Sequence, residues 1–326
     1  MNRDFSEVAS YGGYFVMRKI RLFRRNLPME YPKYHPFRSE KAREQYRFAY
    51  TEWEKVWPGV SETRIIQTDY GQTLVRVGGP ENAPPLVLLP GAGATSLMWS
   101  FNIEALSRDF RTYAVDYDYG RSFFTRPVDN VAGLIDWFHQ LFNGLGLGDN
   151  IHLMGASLGG WQVAQYAREV PDRVGKLVLL APAATILPLR QEFSYRLMCS
   201  MIPVRPFSNN LMNWLFRDLI QSGETGRRMA VETLGQMMLA IKSFNFQPRR
   251  YQKLTVWEDG EWQSLKMPTL FLVGENEKIY PPRQAIDRLH RIAPGIRTEL
   301  IPGAGHDVSV VKADLVNEKI LRFLKE

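Results

Sequence analysis

An α/β fold built on a mostly parallel sheet is predicted by three observations. Apolar runs of strand length alternate with amphipathic helical patterns through most of the chain. One run ends in a glycine-flanked serine, Gly155-Ala156-Ser157-Leu158-Gly159, and a helical pattern follows at once. Between Leu180 and Thr269 the alternation stops, and nearly ninety residues carry helical spacing with no convincing strand. That interval is too long for a loop and too apolar for a linker, so it is expected to form a helical cap on the sheet.

Residues 1–60 carry twelve Lys/Arg against seven Asp/Glu, so they hold most of the chain's net charge of +7. A helical look around Phe15–Arg25 is followed by a stronger one from Glu40 to Trp57, where Tyr46, Ala49, Tyr50, Trp53 and Trp57 recur at helical spacing. Pro58-Gly59 ends that pattern. The segment reads as a basic helical extension packed on the main domain. Its arginine-flanked start is compatible with an anionic membrane surface, a solvated face being the plainer reading. No basic run interleaved with aromatics points to nucleic acid.

Strand patterns then appear at Arg64–Thr68 and Thr73–Gly78, joined by a hairpin turn at Asp69-Tyr70-Gly71-Gln72. Leu86–Leu89 is a continuous apolar run, as in a strand covered on both faces. Further runs lie at Arg111–Asp116, Ile151–Met154, Lys176–Leu180, Thr269–Val273 and Arg297–Ile301, with helices expected around Trp99–Leu106, Val131–Leu145, Trp161–Glu169, Arg283–Ile292 and Leu315–Leu324. The predicted division is an extension over 1–60, a core over 61–182 and 266–326, and a cap over 183–265. Half of the twelve methionines (198, 201, 212, 229, 237 and 238) fall in the cap. Core packing is the default for such residues, and some are expected to line an adaptable pocket. The stretch Trp257–Leu265 around Asp259-Gly260 reads as a hairpin or a short helix returning to the sheet, with the helix favoured.

The turn at Ser157 is a nucleophile elbow in outline. A Cβ at Gly155 or Gly159 would collide within so sharp a turn, and the helix that follows aims free N–H groups at the hydroxyl. A serine needs a base, and five histidines allow the choice by elimination. His35 lies between prolines in the extension, His139 and His290 sit on helices, and His152 lies inside the strand before Ser157. His306 remains, in the loop Pro302-Gly303-Ala304-Gly305-His306-Asp307 just past the last strand, where α/β sheets place their sites. The carboxylate that orients it is expected in Gly274-Glu275-Asn276-Glu277, with Glu277 freer to reach across and Glu275 next to the strand end. Asp307 adjoins the base too closely in sequence to orient it. Oxyanion donors are expected from the N–H of Leu158 and from Pro90-Gly91-Ala92-Gly93-Ala94, with Ala92 the donor and Gly91 supporting it.

Taken together these pieces resemble the α/β-hydrolase superfamily, and within it the bacterial carboxylesterases of the naproxen-esterase type, from about Thr63 onward. The matching stretches are Leu88–Ala92, Val115–Ser122, Gly155–Gly160, Pro171–Val174, Val273–Glu277 and Gly303–His306. The resemblance implies an eight-stranded, mostly parallel sheet with a cap after the sixth strand. It also implies Ser157 as nucleophile, His306 as base and Glu277 as acid, where the family more often has Asp. Pro90 departs from the family's usual His-Gly oxyanion loop.

The expected activity is hydrolysis of a carboxylic ester or thioester with an apolar acyl or alcohol part. C–C bond hydrolases, lactonases and acyltransferases share the same machinery, and a non-catalytic binding protein on this scaffold is a further alternative. A dinucleotide-binding reading of Gly91-Ala92-Gly93-Ala94-Thr95-Ser96, with Asp116 at the end of the next strand, fails on Ser96 at the third glycine position. No cofactor is expected, and no metal motif occurs. A lone cysteine, Cys199, in an apolar helical pattern reads as a core thiol in a reducing compartment. The lack of a continuous signal h-region and of any 18-residue apolar stretch makes a cytoplasmic location the expectation.

Overall fold

In a computed structural model of the chain, the residues described are 37–55, 57–59, 61–117, 122–200, 205–224, 235–236, 238–240, 242–244 and 252–326. The expected helix at Phe15–Arg25, His35, Asp118–Arg121, and Met201, Met229 and Met237 lie outside them.

All eight expected strands form: β1 (Glu62–Thr68), β2 (Gly71–Gly78), β3 (Pro85–Leu89), β4 (Arg111–Asp116), β6 (Ile151–Ala156), β7 (Val174–Leu180), β8 (Thr269–Gly274) and β9 (Arg297–Ile301). A ninth, β5, is the two-residue Phe123–Phe124 pairing with β2. It is too short for any periodicity to announce it. The order across the sheet is β1-β2-β4-β3-β6-β7-β8-β9. β2 pairs antiparallel with β1 and β4, and every pair from β4-β3 to β8-β9 is parallel. Successive crossovers change direction at β3. The loop after β3 and the loop after its neighbour β6 therefore diverge at the strands' carboxyl ends, which opens a crevice there.

Helices cover both faces because the central strands are apolar on both sides; β6 is buried along its whole length. One face carries α3 (Val131–Leu145), α4 (Leu158–Glu169) and α9 (Pro282–Ile292), meeting Val87, Leu153, Leu179 and Phe271. The other carries a 3-10 turn at Ser96–Phe101, α2 (Ile103–Leu106), α10 (Val308–Val311) and α11 (Ala313–Lys325), packed on Leu86, Met154 and Leu270. α3 is capped at both ends: Asn130 accepts from Gly133, and Gly146 takes the left-handed conformation at φ 73°.

Between β7 and β8 the chain forms α5 (Gln191–Ser200), α6 (Arg205–Leu215), α7 (Arg217–Gln221) and α8 (Asp259–Gln263), the last as expected for Trp257–Leu265. Leu211, Met212, Leu215 and Phe216 are buried against the same cluster as α3 and α4. α5 departs from the expected apolar stripe. Of its residues only Ser200 is buried, Tyr195 and Met198 face outward, and Cys199 is half-buried instead of a core thiol. The reason is that α5 packs on one side only, through Phe193 and its neighbour α6.

α1 (Glu40–Glu54) starts at Ser39, whose side chain accepts from Ala42, and it buries Tyr46, Ala49 and Tyr50 as its spacing requires. No helix among the described residues is long and apolar enough to cross a membrane.

Candidate active site

Ser157 sits between β6 and α4 with φ 52° and ψ −116°, a conformation that non-glycine residues rarely adopt. Backbone bonds lock it there. Its N–H donates to Leu180 (2.9 Å), and its carbonyl accepts from Ala183 (2.9 Å) and Trp161 (3.1 Å). The flanking glycines are required by space: a Cβ on Gly155 would lie 2.3 Å from the Gly159 carbonyl oxygen, and one on Gly159 would lie 2.4 Å from that of Pro90. Gly91 differs. Its Cβ would make an ordinary contact, 3.4 Å from that of Ser157, so the glycine is not sterically forced there.

The other two loops are joined to each other. Glu275 donates its N–H to Ile301 and Asn276 donates its N–H to Ala304, each at 2.9 Å. Their approach depends on Gly274, where a Cβ would come within 2.3 Å of the Ala304 oxygen. The sequence pattern alone assigns Gly274 no role, although its position between the last apolar residue of β8 and the acidic loop is a signal for one.

These loops bring together the three side chains singled out from sequence. His306 Nε2 lies 2.9 Å from Ser157 Oγ, and His306 Nδ1 lies 2.9 Å from Glu277 Oε2. A carboxylate only accepts, so the imidazole proton sits on Nδ1 and Nε2 accepts from the serine hydroxyl. Glu277 is buried, and its other oxygen accepts the N–H groups of Lys278 (2.7 Å) and Ile279 (2.9 Å), which fixes the carboxylate. Burial opposes a charged imidazole at His306. The adjacent Glu277, by charge and hydrogen bond, and Asp307 outweigh it and hold the ring above its ordinary value.

The remaining candidates fall elsewhere. Glu275 accepts from Arg283 on the surface (2.8 Å). Asp307 is buried and turned to α7, where it accepts from the Leu219 N–H (3.2 Å); burial, helped by the charge of Asp218, pushes its carboxyl up to about 7. His139 meets Tyr166 edge-on, and His290 bonds to Thr298 (2.6 Å). His152 is buried edge-on to Phe110, and burial with Lys176 nearby lowers it to about 4. Asp116 accepts from Ser96 N–H (2.8 Å) and Tyr50 hydroxyl (2.7 Å), an internal role that leaves no ribose acid for the dinucleotide reading.

Ser157 and His306 open into a cavity of about 280 Å³, at the lower end of ligand-pocket sizes. Gly91 and Ala92 form part of its wall, and Met98, Phe193, Leu215, Phe216 and Phe244 make most of the rest apolar. Leu158 opens α4 directly after the serine, so its N–H has no acceptor within the helix.

A family model described as the alpha/beta hydrolase fold matches residues 84–313. Among similar proteins, the Bacillus subtilis (strain 168) "Uncharacterized carboxylesterase nap" is 34% identical over 285 residues, covering 86% of this chain and 92% of the relative. The carboxylesterase YbfK of the same organism is 30% identical over 278 residues, covering 85% and 92%. The crystal structure of the Bacillus subtilis naproxen esterase superposes with a TM-score of 0.79 at 31% identity, covering 88% of this chain and 99% of that one. The chain belongs to the α/β-hydrolase family.

Proposed function

We propose that this protein is a carboxylesterase acting on small esters or thioesters whose acyl or alcohol part is apolar. The observation that carries the proposal is the unbroken line of hydrogen bonds from Glu277 through His306 to Ser157, which ends at an apolar cavity. The likeness to two Bacillus carboxylesterases supports it.

In the proposed reaction Ser157 Oγ attacks the ester carbonyl carbon while its proton passes to His306 Nε2. Glu277 holds the ring's orientation and stabilises the imidazolium. The tetrahedral oxyanion is met by the N–H groups of Leu158 and Ala92, with the positive end of α4 behind them. Collapse breaks the bond to the leaving alcohol or thiol, which takes the proton from Nε2, and an acyl-Ser157 ester remains. Water then attacks that ester with His306 as base, and the acid leaves as the serine is regenerated. The apolar cavity favours a hydrocarbon acyl or alcohol group, since each buried methylene contributes about 0.8 kcal/mol.

Ser157→Ala is the direct test. It is expected to lower p-nitrophenyl butyrate turnover by about 10⁴-fold or more and to abolish labelling by a fluorophosphonate, with thermal stability kept. Unchanged turnover in the variant refutes the proposal.

A further inference from the structure

Phe37, Arg38 and α1 contact the cavity wall at Phe244 and, through Tyr50, the segment that follows the wall residues Gly91–Ala94. On one side, Phe37 forms an antiparallel bridge with Phe244, a cavity wall residue, and their rings lie 4.4 Å apart. Arg38 adds two bonds to the same strip, from its N–H to the Ser243 carbonyl and from Nε to the Phe244 carbonyl, both 2.8 Å. Tyr46 meets the Phe244 ring edge-on at 4.9 Å. On the other side, the Tyr50 hydroxyl donates to Asp116 (2.7 Å), whose second oxygen accepts the Ser96 N–H (2.8 Å). Arg76 completes this buried set by donating to Ser96 Oγ (3.1 Å) and to the Tyr50 hydroxyl (2.9 Å). Ser96 lies four residues beyond Ala92 in the loop that follows β3. Leu97, next along, joins Phe37, Tyr46, Tyr50, Ala240 and Phe244 in one small apolar cluster.

We infer that Phe37 and α1 form a clasp that sets the depth of the acyl cavity: Phe37 backs Phe244, while Tyr50 ties the same helix to the loop bearing Ala92. This rests on the esterase reading above and adds a specificity role for residues outside the sheet domain. Phe37 does not itself line the cavity, so it is a positioning residue. Its ring fills the space into which Phe244 would otherwise retreat. Phe37 is buried, and truncating it leaves a void that the wall can occupy. The cavity then lengthens, and longer acyl chains gain relative to short ones. Tyr50 acts on the opposite side, through the loop, and so on the chemical step.

The test uses the full chain, with p-nitrophenyl butyrate and decanoate as substrates and fluorophosphonate labelling to count active sites. Phe37→Ala is expected to raise the decanoate-to-butyrate ratio of kcat/KM by about fivefold, carried by KM, in keeping with what a few methylenes contribute in an apolar pocket. Phe37→Leu retains most of the bulk and is expected to restore the ratio to within about twofold. Tyr50→Phe is expected to lower kcat on both esters by about three- to tenfold, a fraction of the loss of an oxyanion donor, with the ratio unchanged. If Phe37→Ala does not fold, Phe37→Val is read in its place. Both esters falling in parallel with thermal stability, at a constant ratio, would overturn the clasp. A wild-type protein inert to both esters and to the probe would instead overturn the esterase reading beneath it.

Discussion

The two halves of the site are held by different physics. The groups proposed to react stand on loops fixed by backbone bonds and by glycines at which an added Cβ would lie 2.3–2.4 Å from a backbone oxygen. The cavity that faces them is walled by side chains from α5, α6, α7 and the strip around Phe244, joined mainly by apolar packing. The first half admits a single arrangement; the second can repack. Substitutions in the loops should therefore abolish turnover, and substitutions in the wall should redistribute it among substrates.

The largest effect short of removing the serine is expected from Glu277→Gln. The neutral amide no longer fixes the imidazole tautomer or stabilises the imidazolium, and kcat should fall by about 10³- to 10⁴-fold. The residual activity sharpens the point. In the proposed reaction His306 works as a base only when neutral, so activity should rise as pH climbs through its pKa, which Glu277 holds above the ordinary value. With that charge gone, burial dominates, and the acid limb of the pH–rate profile should move to lower pH. A limb that stays in place would mean that Glu277 does not set the base.

Next comes Gly155→Ala. The added methyl meets the Gly159 carbonyl at 2.3 Å, backbone against backbone, so β6 and α4 must separate. A loss of about 1–3 kcal/mol or more in unfolding free energy is expected, together with loss of fluorophosphonate labelling. Gly91→Ala is the matched control, since its methyl makes only ordinary contact. Equal losses in the two variants would break the distinction between forced and permitted glycines.

Smaller still is the effect of opening the wall. Phe216 is buried between α6 and α7 and lines the cavity. Phe216→Ala should change kcat on butyrate by less than about threefold while shifting preference toward bulkier acyl groups, because one wall contact contributes only about 1–3 kcal/mol of discrimination. Parallel loss across all esters would show the wall to be as rigid as the loops.

The same contrast explains what could be read from sequence. Each of the loop residues carries a local signature: the glycines about Ser157, the Gly-Ala-Gly before His306, and the acid Glu277 three positions past Gly274 at the end of β8. Such features reflect short-range geometry, which spacing reports. Phe37, Phe244 and Tyr50 carry no such signature, because Phe37 meets Phe244 from more than two hundred positions away and Tyr50 meets Asp116 across 66, contacts set by the final packing. The 3-10 turn at Ser96–Phe101 overlaps the helix that spacing predicts around Trp99–Leu106, for a related reason. Its apolar spacing is helical, but Asn102 interrupts it to bond with Ser309 and Asn317 from the far end of the chain. Strand β5 is a two-residue pairing decided by its partner, not by its own composition.

Asp307 stands at the seam between the halves, and its variant should have the least effect on turnover. It follows His306 in the loop yet bonds to the Leu219 N–H of α7. Burial raises its carboxyl from 3.8 to about 7, with Asp218 adding to the rise and the Leu219 N–H and the His306 charge opposing it. A carboxyl raised on folding binds its proton more tightly in the native state than in the unfolded chain. Its contribution to stability is therefore full below about pH 4 and is lost as pH rises to about 7. Asp307→Asn carries no such titration. Its melting temperature should fall less than that of the wild type between pH 5 and pH 8, while kcat at pH 8 stays within about threefold, since the asparagine oxygen still accepts from Leu219. Removing the charge beside His306 should also move the acid limb slightly down, in the same direction as Glu277→Gln and by less, because Asp307 makes the smaller contribution to the rise in His306. Identical pH dependence of melting in variant and wild type would show that this carboxyl is ionised throughout, and that the α7 contact does not couple the cavity wall to the loop of the base.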